Sequence, residues 1–293
     1  MTSTSWREQL QAVPQYLLPQ HLLSAGMYRL TRCRWEPLKN LLIRSVIQHY
    51  RVDMDLAAQA DYRQYQSFNE FFTRQLKTGV RPIADGAAAV VCPVDGTISQ
   101  IGDIQDTGIF QAKGHTFDLA GLIAGEAQLV TSFRNGKFIT LYLSPRDYHR
   151  IHMPLSGQLI QMIYVPGRLF SVNRATSRCI PGLYARNERL INIFQTSAGL
   201  MGVILVGAIF VGSMETVWAG QITPAARREQ RIWDYRDPGR AVRLDRGEEL
   251  GRFNMGSTVI LLFEPGRIEW LEPLKADDQV VMGQAMAKIA SGK

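Results

Sequence analysis

Leu190 to Met214, LINIFQTSAGLMGVILVGAIFVGSM, runs for 25 residues without a formal charge. A segment this long and apolar can cross a bilayer as a helix. The same residues also suit two buried strands, because strands covered on both faces read as continuous Val/Ile-rich runs. Asn192, the Gln195-Thr196-Ser197 step and the glycines at 199, 202, 207 and 212 break the run. Such breaks weaken a spanning helix, whereas Thr-Ser-Ala-Gly serves as a turn between strands. The expectation is a pair of buried strands, and therefore a β-rich core.

The texture of the rest agrees. From Val90 onward come AVVCPVDGTISQIG, with an Asp-Gly signal between two strand-like runs, then GKFITLYL, GQLIQMIYV, STVILLF and RIEWLEPL, separated by Gly, Pro and Asn. Short helical pieces are expected at FDLAGLIAG and near SPRDYH. Residues 1–80 read as helical, punctuated by Pro14, Pro19 and Pro37. Ser67 and Glu70 form a capping box, and Phe68, Phe71, Phe72 and Leu76 share one face of the helix it starts, a pattern that suits core. The fold class expected is α+β: a helical region, 1–80, on a β-rich catalytic region, 81–293.

Charge narrows the partners. The chain carries 33 basic and 26 acidic residues, a balance of +7, and residues 1–50 hold six basic against two acidic. Basic residues interleaved with aromatics at the spacing of nucleic-acid modules are absent, so an anionic membrane surface is expected rather than nucleic acid. Helices packed on a neighbouring domain with a solvated basic face are the alternative these residues leave open. Cys33, Cys92 and Cys179 include no CxxC pair, which argues against a disulfide framework or a zinc site. No metal is expected. MTSTSWREQLQAV lacks the basic and apolar regions of a signal peptide, so the expected place is the cytoplasmic side.

For chemistry, RFNMGSTVILLF sets Gly256 and Ser257 directly before a strand-like run. Glycine leaves its carbonyl open to attack by a neighbouring hydroxyl, but serine needs a base, usually a histidine oriented by a carboxylate. Two of the five histidines, His149 and His152, stand together in SPRDYHRIHMP. A persistent helical turn would bring them to one side, whereas a strand would point them to opposite faces. The carboxylate is either Asp147, close in sequence, or Asp95 in PVDG, and the residues leave that choice open.

The ordered motifs FNEFFTR (68–74), CPVDGTIS (92–99), DYHRIHMP (147–154), YVPGRLFSVN (164–173), LYARNERL (183–190), VGSMETVWAG (211–220) and FNMGSTVI (253–260) carry a resemblance. The chain resembles the bacterial, pyruvoyl-dependent phosphatidylserine decarboxylases made as type I-like proenzymes. The likeness runs from about residue 60 to 270. Met255 stands where the family's cleavage motif usually has leucine, a change that conserves apolar volume.

The resemblance implies self-cleavage between Gly256 and Ser257, giving a beta chain, 1–256, and an alpha chain, 257–293. It implies that Asp95, His152 and Ser257 form the charge-relay set for that cleavage, and that His149 serves decarboxylation. Attack of Ser257 on the Gly256 carbonyl, elimination and loss of ammonia would leave a pyruvoyl group at residue 257. That covalently bound pyruvate is the only cofactor implied, and it would form a Schiff base with phosphatidylserine and release phosphatidylethanolamine. The implied setting is phospholipid biosynthesis at the cell membrane, peripheral and on the cytoplasmic side. Further dimerisation of the two-chain product is left open. Two other classes compete: a serine hydrolase that keeps its serine, and a lipid-binding protein that stays one intact chain.

Overall fold

A computed structural model describes residues 6–112, 115–210, 213–225, 227–254 and 258–291. The uncharged run forms a hairpin: strands Arg189–Thr196 and Gly199–Val206 pair antiparallel, from Arg189 opposite Val206 to Thr196 opposite Gly199. Gly199 closes the turn at φ +81°, where L side chains are strained. Thr196 Oγ1 donates to its carbonyl at 2.8 Å. Among the described residues no helix is long and apolar enough to cross a membrane.

That hairpin lies within a nine-stranded antiparallel sheet. Across it run Arg231–Asp234, Gly157–Val165, Arg189–Thr196, Gly199–Val206, Thr258–Phe263, Lys137–Tyr142, Gly96–Asp103 and Gln279–Val280, with Arg243–Leu244 also pairing to Gly157–Val165. Thr258–Phe263 is an interior strand: Thr258 pairs with Tyr142 on one side and Val206 on the other, and all six of its residues are buried. A four-stranded sheet contains Gly220–Gln221, Met214–Thr216, Glu249–Phe253 and Arg150–His152 in that order. A three-stranded sheet joins Ala89–Val91, Ala285–Ile289 and Ile268–Trp270.

The Asp95-Gly96 step does not turn a hairpin. Ala89–Val91 pairs with Ala285–Ile289, while Gly96–Asp103 joins the large sheet. Glycine is required at 96 for close approach, since a Cβ there would lie 2.5 Å from the Tyr142 carbonyl oxygen.

Among the described residues four α-helices precede the sheets: α1 (Trp6–Ala12), α2 (Gln20–Thr31), α3 (Glu36–Tyr50) and α4 (Phe68–Phe72). The Ser67 side chain accepts from Glu70 N at 3.2 Å, as the capping box requires, while Glu70 Oε2 accepts from Gln66 N. Phe68, Phe71 and Phe72 pack with Ile43, Val52 and Tyr65 into a second, smaller core. Leu76 is not on that face, because α4 stops at Phe72 and Leu76 bridges to Ala57 instead. FDLAGLIAG contains the expected short helix, Leu119–Leu122, capped by the Asp118 side chain.

Near SPRDYH the expected helical piece is only a turn, closed by Asp147 N on Ser144 O at 2.9 Å. The chain then extends into the strand Arg150–His152, whose partner Glu249–Phe253 offers a ladder a helix would forgo. A persistent helical turn carrying both histidines is therefore ruled out.

Candidate active site

The topology collects the chemistry at one end of the large sheet. Thr97, Tyr142 and Thr258 face one another across three adjacent strands. Strand Gly96–Asp103 leaves that end and Lys137–Tyr142 arrives at it, so Asp95 and the 143–149 turn emerge together. Thr258 begins its strand at the same end, and Met255, Gly256 and Ser257 lie outside the described residues. Their two flanks are fixed. Upstream, Phe253 N donates to the His149 carbonyl at 3.1 Å, and Asn254 N to the Ser213 carbonyl at 3.0 Å. Downstream, Thr258 is held in the interior of the sheet.

His149 is fully buried. Its Nδ1 stands 2.8 Å from the Asp147 carbonyl, an acceptor only, so Nδ1 carries the hydrogen and Nε2 keeps a bare lone pair. That Nε2 is buried without a hydrogen-bond partner among the described residues. Burial, and then the Arg74 charge, push the His149 pKa down to about 3, so the ring is neutral near pH 7. Arg74 also fastens the carbonyls of this turn, with Nη2 3.0 Å from Arg146 O and 3.5 Å from Asp147 O. The Phe72 ring packs on the imidazole at a centroid separation of 4.1 Å.

His152 has different neighbours. Its Nδ1 donates to the Gly247 carbonyl at 2.7 Å, and its Nε2 accepts from the Tyr148 hydroxyl at 3.0 Å. Burial pushes the Tyr148 pKa up to about 12, so the phenol keeps its proton to donate. Burial also lowers the His152 pKa. Gly247 presents its carbonyl from φ +86°, where a Cβ would meet Ile83 at 2.8 Å. The two rings are thus held by separate partners rather than turned to one shared set of contacts.

Neither candidate carboxylate touches His152. Asp95 takes the Arg81 guanidinium, at 2.9 and 3.1 Å from Nε and 2.6 Å from Nη2, and the Met282 N–H at 2.8 Å. Asp147 accepts from Ser144 N and Oγ, both at 2.7 Å, which caps its own turn. Asp95 is close in another sense, because His152 N donates to the Pro93 carbonyl two residues before it, at 2.9 Å.

An apolar cavity of about 560 Å³ lies between the helices and this sheet end. Leu18 and Val46 come from the helical side, Phe72 from α4, Tyr142 and Leu143 from the sheet end, and Phe210 from the loop after the hairpin. Phe72 touches His149 and Tyr142 pairs with Thr258, so the cavity adjoins both the bare imidazole and the flank of Gly256-Ser257. Among the described residues no cluster of three or more His, Cys, Asp or Glu could hold a metal ion.

Sequence reasoning missed Tyr148, Gly247, Arg74 and Arg81. Tyr148 and Arg74 stand inside motifs already noticed, but nothing in a linear sequence tells which backbone carbonyl a side chain will meet. Comparison with known proteins decides the family. Its model, described as phosphatidylserine decarboxylase, matches residues 68–288, and a second one, described as PSD, matches residues 10–51.

The chain belongs to the phosphatidylserine decarboxylase family.

A phosphatidylserine decarboxylase proenzyme of Methylococcus capsulatus is 52% identical over 272 residues, covering 93% of this chain and 94% of the relative. One from Acidovorax ebreus is 50% identical over 280 residues, 96% of this chain and 98% of the relative. One from Pseudomonas aeruginosa (strain LESB58) is 50% identical over 284 residues, 97% and 98%. Each likeness therefore spans both the helical region and the sheets.

Proposed function

We propose that this chain is a phosphatidylserine decarboxylase proenzyme that cuts itself between Gly256 and Ser257 and then converts phosphatidylserine to phosphatidylethanolamine. One observation carries the reading: the residues flanking that segment, Asn254 and Thr258, are both fixed, and a buried imidazole with a bare Nε2 and a cavity able to take lipid adjoin these flanks. The products are residues 1–256 and 257–293, which stay together as a heterodimer of beta and alpha chains. Further pairing of that heterodimer is compatible with the reading but is not required by it.

In self-cleavage a histidine accepts the Ser257 hydroxyl proton while Oγ attacks the Gly256 carbonyl. The peptide becomes an ester, and elimination across Cα–Cβ of residue 257 expels the Gly256 carboxylate. The dehydroalanine so formed tautomerises to an imine, and water hydrolyses it, releasing ammonia and leaving residue 257 as a pyruvoyl group. The surroundings described fit such a group, since a free base and an apolar cavity adjoin Phe253 and Thr258 and no charged ligand set is needed. When present, it supplies an electrophilic carbonyl for the substrate amine and an acceptor for the electrons that carbon dioxide leaves behind. His149 Nε2, neutral and unoccupied, can take a proton from the substrate ammonium and return one to carbon.

In the first reading His152, with Asp95, serves cleavage. That requires Tyr148 to release Nε2 and Asp95 to turn from Arg81. A second reading assigns the cleavage proton to His149 as well, and the contrast between its bare Nε2 and the capped Nε2 of His152 favours it. Residues 1–80 act as the membrane-associating region and residues 81–293 as the catalytic one. Association is peripheral, at the anionic cytoplasmic face of the cell membrane, with the acyl chains reaching the cavity from the bilayer.

Intact-mass measurement of the purified full chain tests the function. A 37-residue fragment, 257–293, blocked at its N-terminus by a pyruvoyl group supports it. A retained serine points to a hydrolase, and an uncut chain releasing no carbon dioxide to a lipid-binding protein. Ser257→Ala is expected to stay whole and inactive. If the first reading holds, His149→Ala processes fully but decarboxylates about 10²- to 10⁴-fold more slowly, while His152→Ala and Asp95→Asn stay uncut. An uncut His149→Ala beside a processed His152→Ala establishes the second.

A further inference from the structure

Residues to which the proposed chemistry gives no role, from three of the ordered motifs, meet at one side chain. Asn254, almost fully buried, directly precedes Met255-Gly256-Ser257. Its Oδ1 accepts from Asn69 Nδ2 at 3.0 Å, in the first turn of α4. Its Nδ2 donates to Glu215 Oε1 at 3.1 Å and to Ser213 Oγ, and its backbone N–H goes to the Ser213 carbonyl at 3.0 Å. FNEFFTR contributes Asn69, VGSMETVWAG Ser213 and Glu215, and FNMGSTVI Asn254, from three places apart in the chain. The amide thus spends both its donors and one acceptor lone pair on two other segments.

We propose that Asn254 is a positioning residue for self-cleavage, clamped by Asn69, Ser213 and Glu215 so that the upstream end of the scissile segment cannot swing. This rests on the reading that the cut falls between Gly256 and Ser257. An acyl shift between adjacent residues demands that a hydroxyl and a carbonyl carbon be held within reach of each other, and small misplacements cost large factors in rate. The interior strand Thr258–Phe263 already fixes the downstream end. With three residues between, fixing Asn254 confines the reacting pair from both sides. A buried asparagine serving packing alone would not need to be tied to two separate segments two residues before Gly256.

The test exploits the direction of the hydrogen bonds. Asn254→Asp replaces the donor facing Glu215 with an oxygen, setting two carboxylates against each other. The other charged groups around them are Arg252, 3.2 Å from Glu215, Glu249 and Arg150 behind it, and Arg32, with the neutral His149 ring the neighbouring titratable group. Cleavage of freshly translated full chain, relative to wild type at each pH, is expected to fall about 10- to 100-fold near pH 7.5. It should recover toward wild type near pH 5, where one proton can be shared between the carboxylates. Adding Glu215→Gln, whose amide can donate to the new carboxylate, is expected to restore most of the rate at pH 7.5. Asn69→Ala, which removes a partner from the opposite side, should slow cleavage without any pH dependence beyond that of wild type. Wild-type cleavage by Asn254→Asp, or a double variant as slow as the single one although folded, overturns the clamp. If the wild-type chain itself never yields the 257–293 fragment, the cleavage reading falls first.

Discussion

Helix α2 buries Gln20, Ser24 and Thr31 and leaves Leu22 72% exposed, whereas strand Thr258–Phe263 buries all six of its residues. The two regions are built with opposite sidedness. In the sheet, Val, Ile and Leu fill the interior and lock the strands in register. Over residues 13–31, polar side chains face the protein and hold it by hydrogen bonds, Gln20 to Leu169 N, Gln15 to Ser171 N and Ser24 to Phe210 N, whereas α3 and α4 turn Ile43, Phe68, Phe71 and Phe72 inward. Trp6, Leu17, Leu22, Trp35 and Leu41 face outward. Exposed apolar side chains of this kind, on helices carrying a basic excess, are what the proposed membrane association would use. The difference teaches that hydrophobicity here has two destinations, one inside the protein and one outside it.

A sharp contrast comes from the sheet end, where a fully buried histidine is held neutral. The folded pKa of His149, about 3, lies below the ordinary value of 6.5. Between those values the unfolded chain binds a proton that the folded chain does not, so stability is lost as pH falls through 6.5 and is unaffected above it. Denaturant unfolding at pH 7 and pH 4.5 is expected to show about 2–3 kcal/mol of acid sensitivity that His149→Gln removes. Equal acid sensitivity in both proteins would mean the ring is not kept neutral by the core.

Substitution of apolar residues separates the regions next. Ile204→Ala, in the interior strand Gly199–Val206, should lower stability by about 2–5 kcal/mol. Leu17→Ser with Leu22→Ser should leave the melting temperature nearly unchanged and weaken binding to vesicles by about two orders of magnitude. A large loss of stability in that double variant would show that these leucines pack on protein. The smallest effect is ionic. Raising salt to about 1 M shortens the screening length to about 3 Å, and vesicle binding should weaken by a few-fold while the leucine contribution persists. Complete release by salt alone would reverse the roles assigned to charge and apolar surface.

Much of this was legible in the sequence where a local rule governs. Thr196-Ser197-Ala198-Gly199 announced a hairpin, Ser67 announced the start of α4, and Asp118 capped a short helix in FDLAGLIAG. Reading failed where a distant strand outbid the local preference. SPRDYH begins as a helical turn, but Glu249–Phe253 draws Arg150–His152 into a ladder and separates the two histidines. Asp-Gly looked like a hairpin until Ala285–Ile289 captured the strand before it. In the site, the histidines could be found by residue type, but their orientation could not. It depends on the Asp147 and Gly247 carbonyls and the Tyr148 hydroxyl, and backbone carbonyls leave no mark in a sequence.

The position of Thr258–Phe263 has a consequence for what a cut ahead of it produces. The short chain would keep an interior strand between Lys137–Tyr142 and Gly199–Val206, the edge strand Gln279–Val280, and two strands of the three-stranded sheet. The surface joining the two products would have been a sheet interior before it was ever an interface. Such partners never meet by diffusion. They inherit each other from a single act of folding, and exchange between molecules would require the sheet to be pulled apart.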